Sequence, residues 1–143
     1  MMWLKPDRTA DTVFDIDYAA LYKDGARALL FDLDKTLGPR KAEALPERAY
    51  RLLESLAEQG FRIGILTNRR RPKNDAVIDE LRDRYVLLHT AGKPRRRGFL
   101  SLLDRLDATP AEGVMIGDKL ITDIVGANRV GIFSIRVRGY VDR

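Results

Sequence analysis

Polar residues stand just past three apolar runs of this 143-residue chain: Asp32 and Asp34 after residues 28–31, Thr67 and Asn68 after 61–66, and Asp118 after 114–116. Lys93 precedes one helix-type pattern, and Asp123 lies inside another. Together these groups suit phosphoryl transfer to an aspartate. A carboxylate attacks phosphorus competently and splits hydrolysis into two easier steps through an aspartyl-phosphate; Asp32 is the candidate. Anion then meets anion, so cations must neutralise the approach. Mg²⁺ is a hard ion that needs few carboxylates beside water and substrate phosphate, and Asp32 and Asp118 can supply them. Lys93 offers a compact positive charge to the phosphoryl oxygens, Thr67 a hydroxyl donor and Asn68 a backbone amide. Asp34, two residues from Asp32, can protonate the leaving alkoxide and then activate water. Asp123 fits better as a support that orients Lys93 or a metal-bound water than as a direct ligand. Singly, each residue has a plainer reading, since Asp after a strand often caps a helix and Thr-Asn often turns the chain. The joint pattern is much harder to explain that way.

These groups need a scaffold that brings them to one edge. Short apolar runs at 28–31, 61–66, 85–88, 114–116 and 132–137 read as five strands. Between them, Leu52, Leu53 and Leu56, then Ala76, Val77, Ile78 and Leu81 in a helix expected over Lys73 to Arg84, then Phe99, Leu102, Leu103 and Leu106 recur at helical spacing. Another helix is expected over 120–129. Strands that are apolar throughout and separated by helices predict an α/β fold with a mainly parallel sheet and helices on both faces. In such sheets the carboxyl ends of the strands form the ligand crevice. Residues 1–27 are less regular, with Asp17 placed to cap a short helix reaching Tyr22.

Composition narrows the class. At 45% hydrophobic and 33% charged the chain is globular, and its length suits one domain, residues 1–143. No apolar run approaches the ~20 residues that span a bilayer, and no apolar stretch follows basic residues at the N-terminus as a secretory signal would. The absence of cysteine excludes a disulfide scaffold, a zinc-thiolate site and a cysteine nucleophile, and fits a cytoplasmic protein. A net charge of +5 admits an anionic partner without choosing among them.

The run Phe31-Asp32-Leu33-Asp34-Lys35-Thr36-Leu37 resembles the Asp-x-Asp-x-Thr-Leu signature of the haloacid dehalogenase (HAD) superfamily. Thr67-Asn68 matches its second motif, Lys93-Pro94 its third, and Gly117-Asp118-Lys119-Leu120-Ile121-Thr122-Asp123 its fourth. More narrowly, Phe14-Asp15-Ile16-Asp17, the stretch from Gly117-Asp118 to Thr122-Asp123-Ile124, and Gly126-Ala127-Asn128-Arg129 resemble the YqeG-like HAD-IIIA phosphatases, relatives of phosphatidylglycerophosphate phosphatases. The sequence departs from the pattern at Lys35, where Asn is common, at Gly38-Pro39, and at Lys119 after Asp118. The resemblance implies a Rossmann-like fold, Mg²⁺ as cofactor, and a metal contact from the Asp34 backbone carbonyl beside Asp32 and Asp118. Superfamily dehalogenases lack the second Asp, so Asp34 implies a phosphatase or a mutase. A mutase needs a lid, and neither loop where the family inserts its cap domains has room for one. A phosphatase without a cap is expected.

Two basic runs, Arg69-Arg70-Arg71-Pro72-Lys73 and Lys93-Pro94-Arg95-Arg96-Arg97, follow the second and third motifs directly. Their plain reading is solvated surface. Their place on the catalytic edge makes Arg70, Arg71, Arg95 and Arg96 candidates for holding an anionic substrate, because local charge concentrates anions. A phosphate carried on an anionic lipid would suit them, and so would a peripheral contact with the inner face of a membrane. Met1-Met2-Trp3-Leu4 reads either as a small interfacial anchor or as packing on the fold. Gly92-Lys93 is no P-loop, because the upstream Gly is missing and Pro94 stands at the Ser/Thr position; His89, lacking partners, reads as structural. Two alternatives stay open beside the lipid phosphatase: a soluble phosphatase of sugar phosphates, nucleotides or nucleic-acid ends, and an idle domain that binds RNA or protein through its arginines. Retention of Asp32, Asp34, Lys93 and Asp118 argues against idleness. Sequence does not fix the oligomeric state.

Overall fold

The structure, a computed structural model, describes residues 2–70 and 75–142. One sheet contains β1 (Arg8–Ala10), β2 (Ala28–Phe31), β3 (Arg62–Leu66), β4 (Val86–Leu88), β5 (Gly113–Gly117) and β6 (Phe133–Val137), in the order β1-β6-β5-β2-β3-β4. Every neighbouring pair is parallel. Helices α1 (Tyr18–Lys23), α2 (Glu47–Glu58), α3 (Ala76–Arg84), α4 (Arg96–Arg105) and α5 (Gly126–Val130) complete the connections.

Strand β2 shows why the sheet lies between two layers. Its four residues are fully buried; Leu29 and Phe31 join one apolar cluster, Ala28 and Leu30 the other. Successive side chains of a strand point to opposite faces, so a continuous apolar run requires cover on both. Leu53 and Leu56 of α2 and Val77, Ile78 and Leu81 of α3 belong to the first cluster. Phe99, Leu102 and Leu103 of α4 and Ala127 of α5 belong to the second. Truncating one such leucine to Ala costs about 2–5 kcal/mol, a large part of a small domain's stability. A Cβ at Gly126 would strike the Phe99 ring, so glycine there lets α5 approach α4.

Asp17 caps α1 as expected, its carboxylate accepting from Ala20 N at 3.1 Å. Asp75 does the same for α3 through Ile78 N; the expected start of that helix at Lys73 lies outside the described residues. Two expectations need correction. The sheet has six strands rather than five, because β1 pairs with β6 at the edge. Its sequence, Arg8-Thr9-Ala10, carries no apolar pattern; the Asp7 carboxylate accepting from Ser134 N at 2.9 Å helps fix it. The helix expected over 120–129 is divided. Residues 120–125 form a π-helical turn, with Ile124 N donating to Lys119 O at 3.3 Å, and α5 follows.

From β2 the chain runs outward through β3 and β4, then crosses to β5 and β6 on the other side. The strand order therefore reverses at β2, and a crevice opens there at the carboxyl ends. Asp32, Thr67 and Asp118 stand at that crevice, immediately after β2, β3 and β5. The two loops where the family inserts cap domains are short, and no cap is present among the described residues.

Candidate active site

The Asp32 backbone extends the sheet by donating to Ile116 O at 2.9 Å, which holds its side chain at the mouth of the crevice. Lys93 Nζ lies 3.0 Å from Asp32 Oδ1 and 2.5 Å from Asp123 Oδ1. All three side chains are almost completely buried. Lys93 is held from behind. Asn68 Oδ1 accepts from Lys93 N at 2.8 Å and Asn68 Nδ2 donates to Lys93 O at 3.0 Å. The Asn68 side chain is thus a clamp, and its main chain is what it can offer a substrate. Thr67 Oγ1 accepts from Arg69 N at 3.0 Å, which leaves its hydroxyl hydrogen for a ligand in the cleft it lines.

Oxygen donors converge beside this pair. Asp32, Asp118 and Asp123 each place a carboxylate oxygen within 4.8 Å of the others. Asp123 has both oxygens engaged, by Lys93 Nζ and by Lys119 N at 3.2 Å, and does not line the open cleft, whereas Asp32 and Asp118 do. The π-helical turn and Gly117 make room for it, since a Cβ at Gly117 would overlap the Asp123 carboxylate. Asp32 and Asp118 remain to hold a cation. Thr36 Oγ1 bridges them, 3.4 Å from Asp32 Oδ2 and 3.2 Å from Asp118 Oδ1. Thr122 Oγ1, buried at the same cleft, has no partner among the described residues. Hard oxygen donors without sulfur or nitrogen, plus an orphaned hydroxyl, fit a hydrated Mg²⁺.

Electrostatics agree. Burial pushes the Asp32 carboxyl up, but the charges of Lys93 and Lys119, with hydrogen bonds from Lys93 and Asp118, hold it below the ordinary carboxylate range. Asp118 is raised by burial and its hydrogen bond with Asp32, against the pull of Lys119. Asp123 is pushed up to about 6 by burial, against the pull of Lys93. Three carboxylates crowded together beside two lysines are a site short of positive charge.

Asp34 turns the other way. Its carboxylate meets Arg69 and accepts from Lys41 N at 2.9 Å, and Arg69 also pairs with Asp75. The cleft encloses about 600 Å³, and its wall includes Lys35, Arg40, Lys41 and Arg70. None of these four side chains has a carboxylate partner among the described residues. The structure thus brings Arg70 of the expected phosphate binders into the cleft. Arg95 and Arg96 do not line it; they are exposed at the start of α4. Arg71 and Lys73 lie outside the described residues. Sequence reasoning missed Thr36 as a bridge, Lys119 as a partner of Asp32, and Arg69 with Asp75 as partners of Asp34. For Lys119 a signal existed, its departure from the motif. His89 is half-buried, with its Nδ1 3.0 Å from Thr90 Oγ1. Trp3 lies beneath Arg129, and its backbone oxygen accepts from Asn128, so this segment packs on α5 with Trp3 44% exposed.

Residues 40–131 match the haloacid dehalogenase-like hydrolase family. The chain is 26% identical over 132 residues to "Probable phosphatase YqeG" of Bacillus subtilis, covering 92% of this chain and 76% of that protein. It is 39% identical over 90 residues to the ribulose-1,5-bisphosphate 5-phosphatase of Halopiger xanaduensis, covering 58% of this chain and 38% of that protein. The solved HAD phosphatase from Thermococcus onnurineus shares the fold, with a TM-score of 0.65 at 20% identity, covering 82% of this chain and 88% of that one. With four motifs gathered at one crevice and the family match spanning most of the sequence, the chain belongs to the haloacid dehalogenase-like hydrolases, as a phosphatase.

Proposed function

We propose that the chain is a Mg²⁺-dependent phosphomonoesterase of HAD subclass IIIA that works through an aspartyl-phosphate on Asp32. Its substrate is phosphatidylglycerophosphate or a similar anionic lipid phosphate. The observation that carries the chemistry is the buried Asp32, kept anionic by two lysines at the mouth of an uncapped cleft. A carboxylate oxygen of Asp32 attacks phosphorus as the bond to the leaving oxygen breaks, and Asp34 gives that oxygen a proton. Asp34 then takes a proton from water, whose oxygen attacks phosphorus and releases Asp32 as a carboxylate. Lys93 and Thr67 bind the phosphoryl oxygens throughout, and Asn68 and Asp123 keep Lys93 in place. Asp32, Asp118 and the Asp34 carbonyl would hold Mg²⁺, which would supply Lewis-acid neutralisation of the phosphoryl charge.

Two observations support an anionic carrier. Lys35, Arg40, Lys41 and Arg70 face the cleft without carboxylate partners among the described residues. Arg95, Arg96 and Arg97 crowd the first turn of α4, where the helix dipole is already positive and no acidic side chain offsets it. A surface of negative headgroups would relieve that repulsion. The relative named for a bisphosphate favours a second reading, a soluble sugar phosphate with a second phosphate. Phosphate release from phosphatidylglycerophosphate vesicles, sugar bisphosphates, nucleotides and 5′-phosphorylated oligonucleotides separates them. The lipid reading predicts the highest kcat/KM on the vesicles; a higher value on any soluble ester overturns it.

A further inference from the structure

Lys119 is where this chain departs from the motif that contains Asp118, and the structure gives it a distinct position. Its Nζ lies 3.2 Å from Asp32 Oδ2 and 3.2 Å from Asp118 Oδ1. Those are the two oxygens that Thr36 also bridges, so they face each other across one gap. Lys93, by contrast, takes the opposite oxygen of Asp32 and does not touch Asp118. We propose that Lys119 is a resident counter-ion: its ammonium group fills the cation seat between Asp32 and Asp118 and leaves it when Mg²⁺ arrives. This rests on the reading of Asp32 and Asp118 as the metal ligands.

Three observations carry the exchange. The first is mobility. The Lys93 side chain is 1% exposed and tied at both ends, whereas that of Lys119 is 48% exposed and lines the open cleft. The second is anchorage. Lys119 N is fixed to Asp123 Oδ2 at 3.2 Å, so only the side chain need swing. The third is charge. Asp32, Asp118 and Asp123 face two ammonium groups, which leaves one negative charge unmatched. A divalent ion that replaces Lys119 brings the site to neutrality, while one added beside it leaves an excess positive charge and two cations sharing the same carboxylates. Exchange is favoured over addition. Once displaced, the ammonium group stays in the cleft that receives the substrate's phosphate.

A counter-ion that competes with the metal has an unusual signature. Removing it destabilises the metal-free protein yet tightens metal binding. Mg²⁺ titration calorimetry and thermal melts of the full chain, as wild type, Lys119→Met and Lys119→Arg, read both. Lys119→Met should bind Mg²⁺ about tenfold more tightly than wild type, and in EDTA it should melt at a lower temperature. Lys119→Arg, which keeps the cation, should restore the weaker affinity. Equal or weaker Mg²⁺ affinity in Lys119→Met overturns the proposal while leaving the metal ligands standing. Asp118→Asn is the control for those ligands. If wild type and Lys119→Met bind Mg²⁺ no better than Asp118→Asn, the ligand assignment has failed and the counter-ion role falls with it.

Discussion

Arg69 grips Asp34 with two nitrogens, Nη2 at 2.5 Å from Oδ1 and Nε at 3.3 Å from Oδ2, while its Nη1 lies 3.1 Å from Asp75 Oδ2. One guanidinium thus ties the loop after β2 to the residue that caps α3. Bidentate pairing of this kind fixes orientation as well as charge. Burial pushes the Asp34 carboxyl up, but the hydrogen bond and charge of Arg69, with the Lys41 amide, hold it below the ordinary carboxylate range. Asp34 therefore rests as the base that activates water, and its turn as an acid requires it to take up a proton first.

Arg69→Met should expose that dependence. Without the guanidinium the Asp34 pKa rises, so the base form is lost at a higher pH and the acidic limb of kcat moves upward. Stability follows the same sign. A depressed folded-state pKa contributes stability above the unfolded carboxylate value, and this is lost as pH falls through the folded one. The variant lacks that contribution, so its acid unfolding should begin at a higher pH. A kcat profile and an acid melt that both superpose on wild type would remove Arg69 from the positioning of Asp34.

Asp32→Asn tests the nucleophile. Asn keeps the volume but not the attacking charge, so kcat should fall by a factor on the order of 10³ or more. Lys93 keeps Asp123 and Lys119 keeps Asp118, so the fold should survive. A folded variant with wild-type turnover would move the chemistry elsewhere.

Metal dependence has two readouts. EDTA should abolish hydrolysis and Mg²⁺ should restore it. Binding to the folded state alone also stabilises the protein, by about 2.7 kcal/mol at a hundredfold excess over Kd. The melting temperature should therefore rise with Mg²⁺ in wild type and stay flat in Asp118→Asn. Full activity after thorough chelation would contradict the assignment of Asp32 and Asp118.

How much of this was legible in the sequence depended on burial. The run Ala28-Leu29-Leu30-Phe31 reads as a covered strand because all four side chains are buried, and the strand ends that carry Asp32, Thr67 and Asp118 follow from such runs. Strand β1 was not legible, because an edge strand of Arg8-Thr9-Ala10 needs no apolar face and relies on Asp7 and Ser134. The π-helical turn was not legible either, since one apolar period over six residues does not separate it from an α-helix. The Arg69–Asp34 pair joins positions 35 residues apart and depends on the path of two loops that no periodicity describes. Adjacency to Lys93 suggested that Arg95 and Arg96 share its cleft. In the structure Lys93 points inward just before α4, while Arg95 and Arg96, at the start of that helix, are exposed.

That difference in placement separates the two groups of arginines by experiment. Arg40 and Arg70 line the cleft, so replacing both with Ala should raise KM for a phosphomonoester that carries a second anionic group. The rise should be small for a neutral carrier, and kcat should hold because Asp32, Asp34 and Lys93 are untouched. Arg95 and Arg96 lie outside the cleft, so their Ala variant should leave KM for a soluble ester unchanged. If the substrate sits in an anionic bilayer, that variant should instead weaken vesicle binding, by about 1 kcal/mol per charge removed and less at high salt. Kinetics on sugar bisphosphates and vesicle sedimentation at one ionic strength measure both. Equal vesicle binding by wild type and the Arg95/Arg96 variant would return those residues to solvated surface. Tighter binding of wild type to RNA than to vesicles would assign them to nucleic acid. An unchanged KM in the Arg40/Arg70 variant would mean that the cleft's free cations do not touch the substrate.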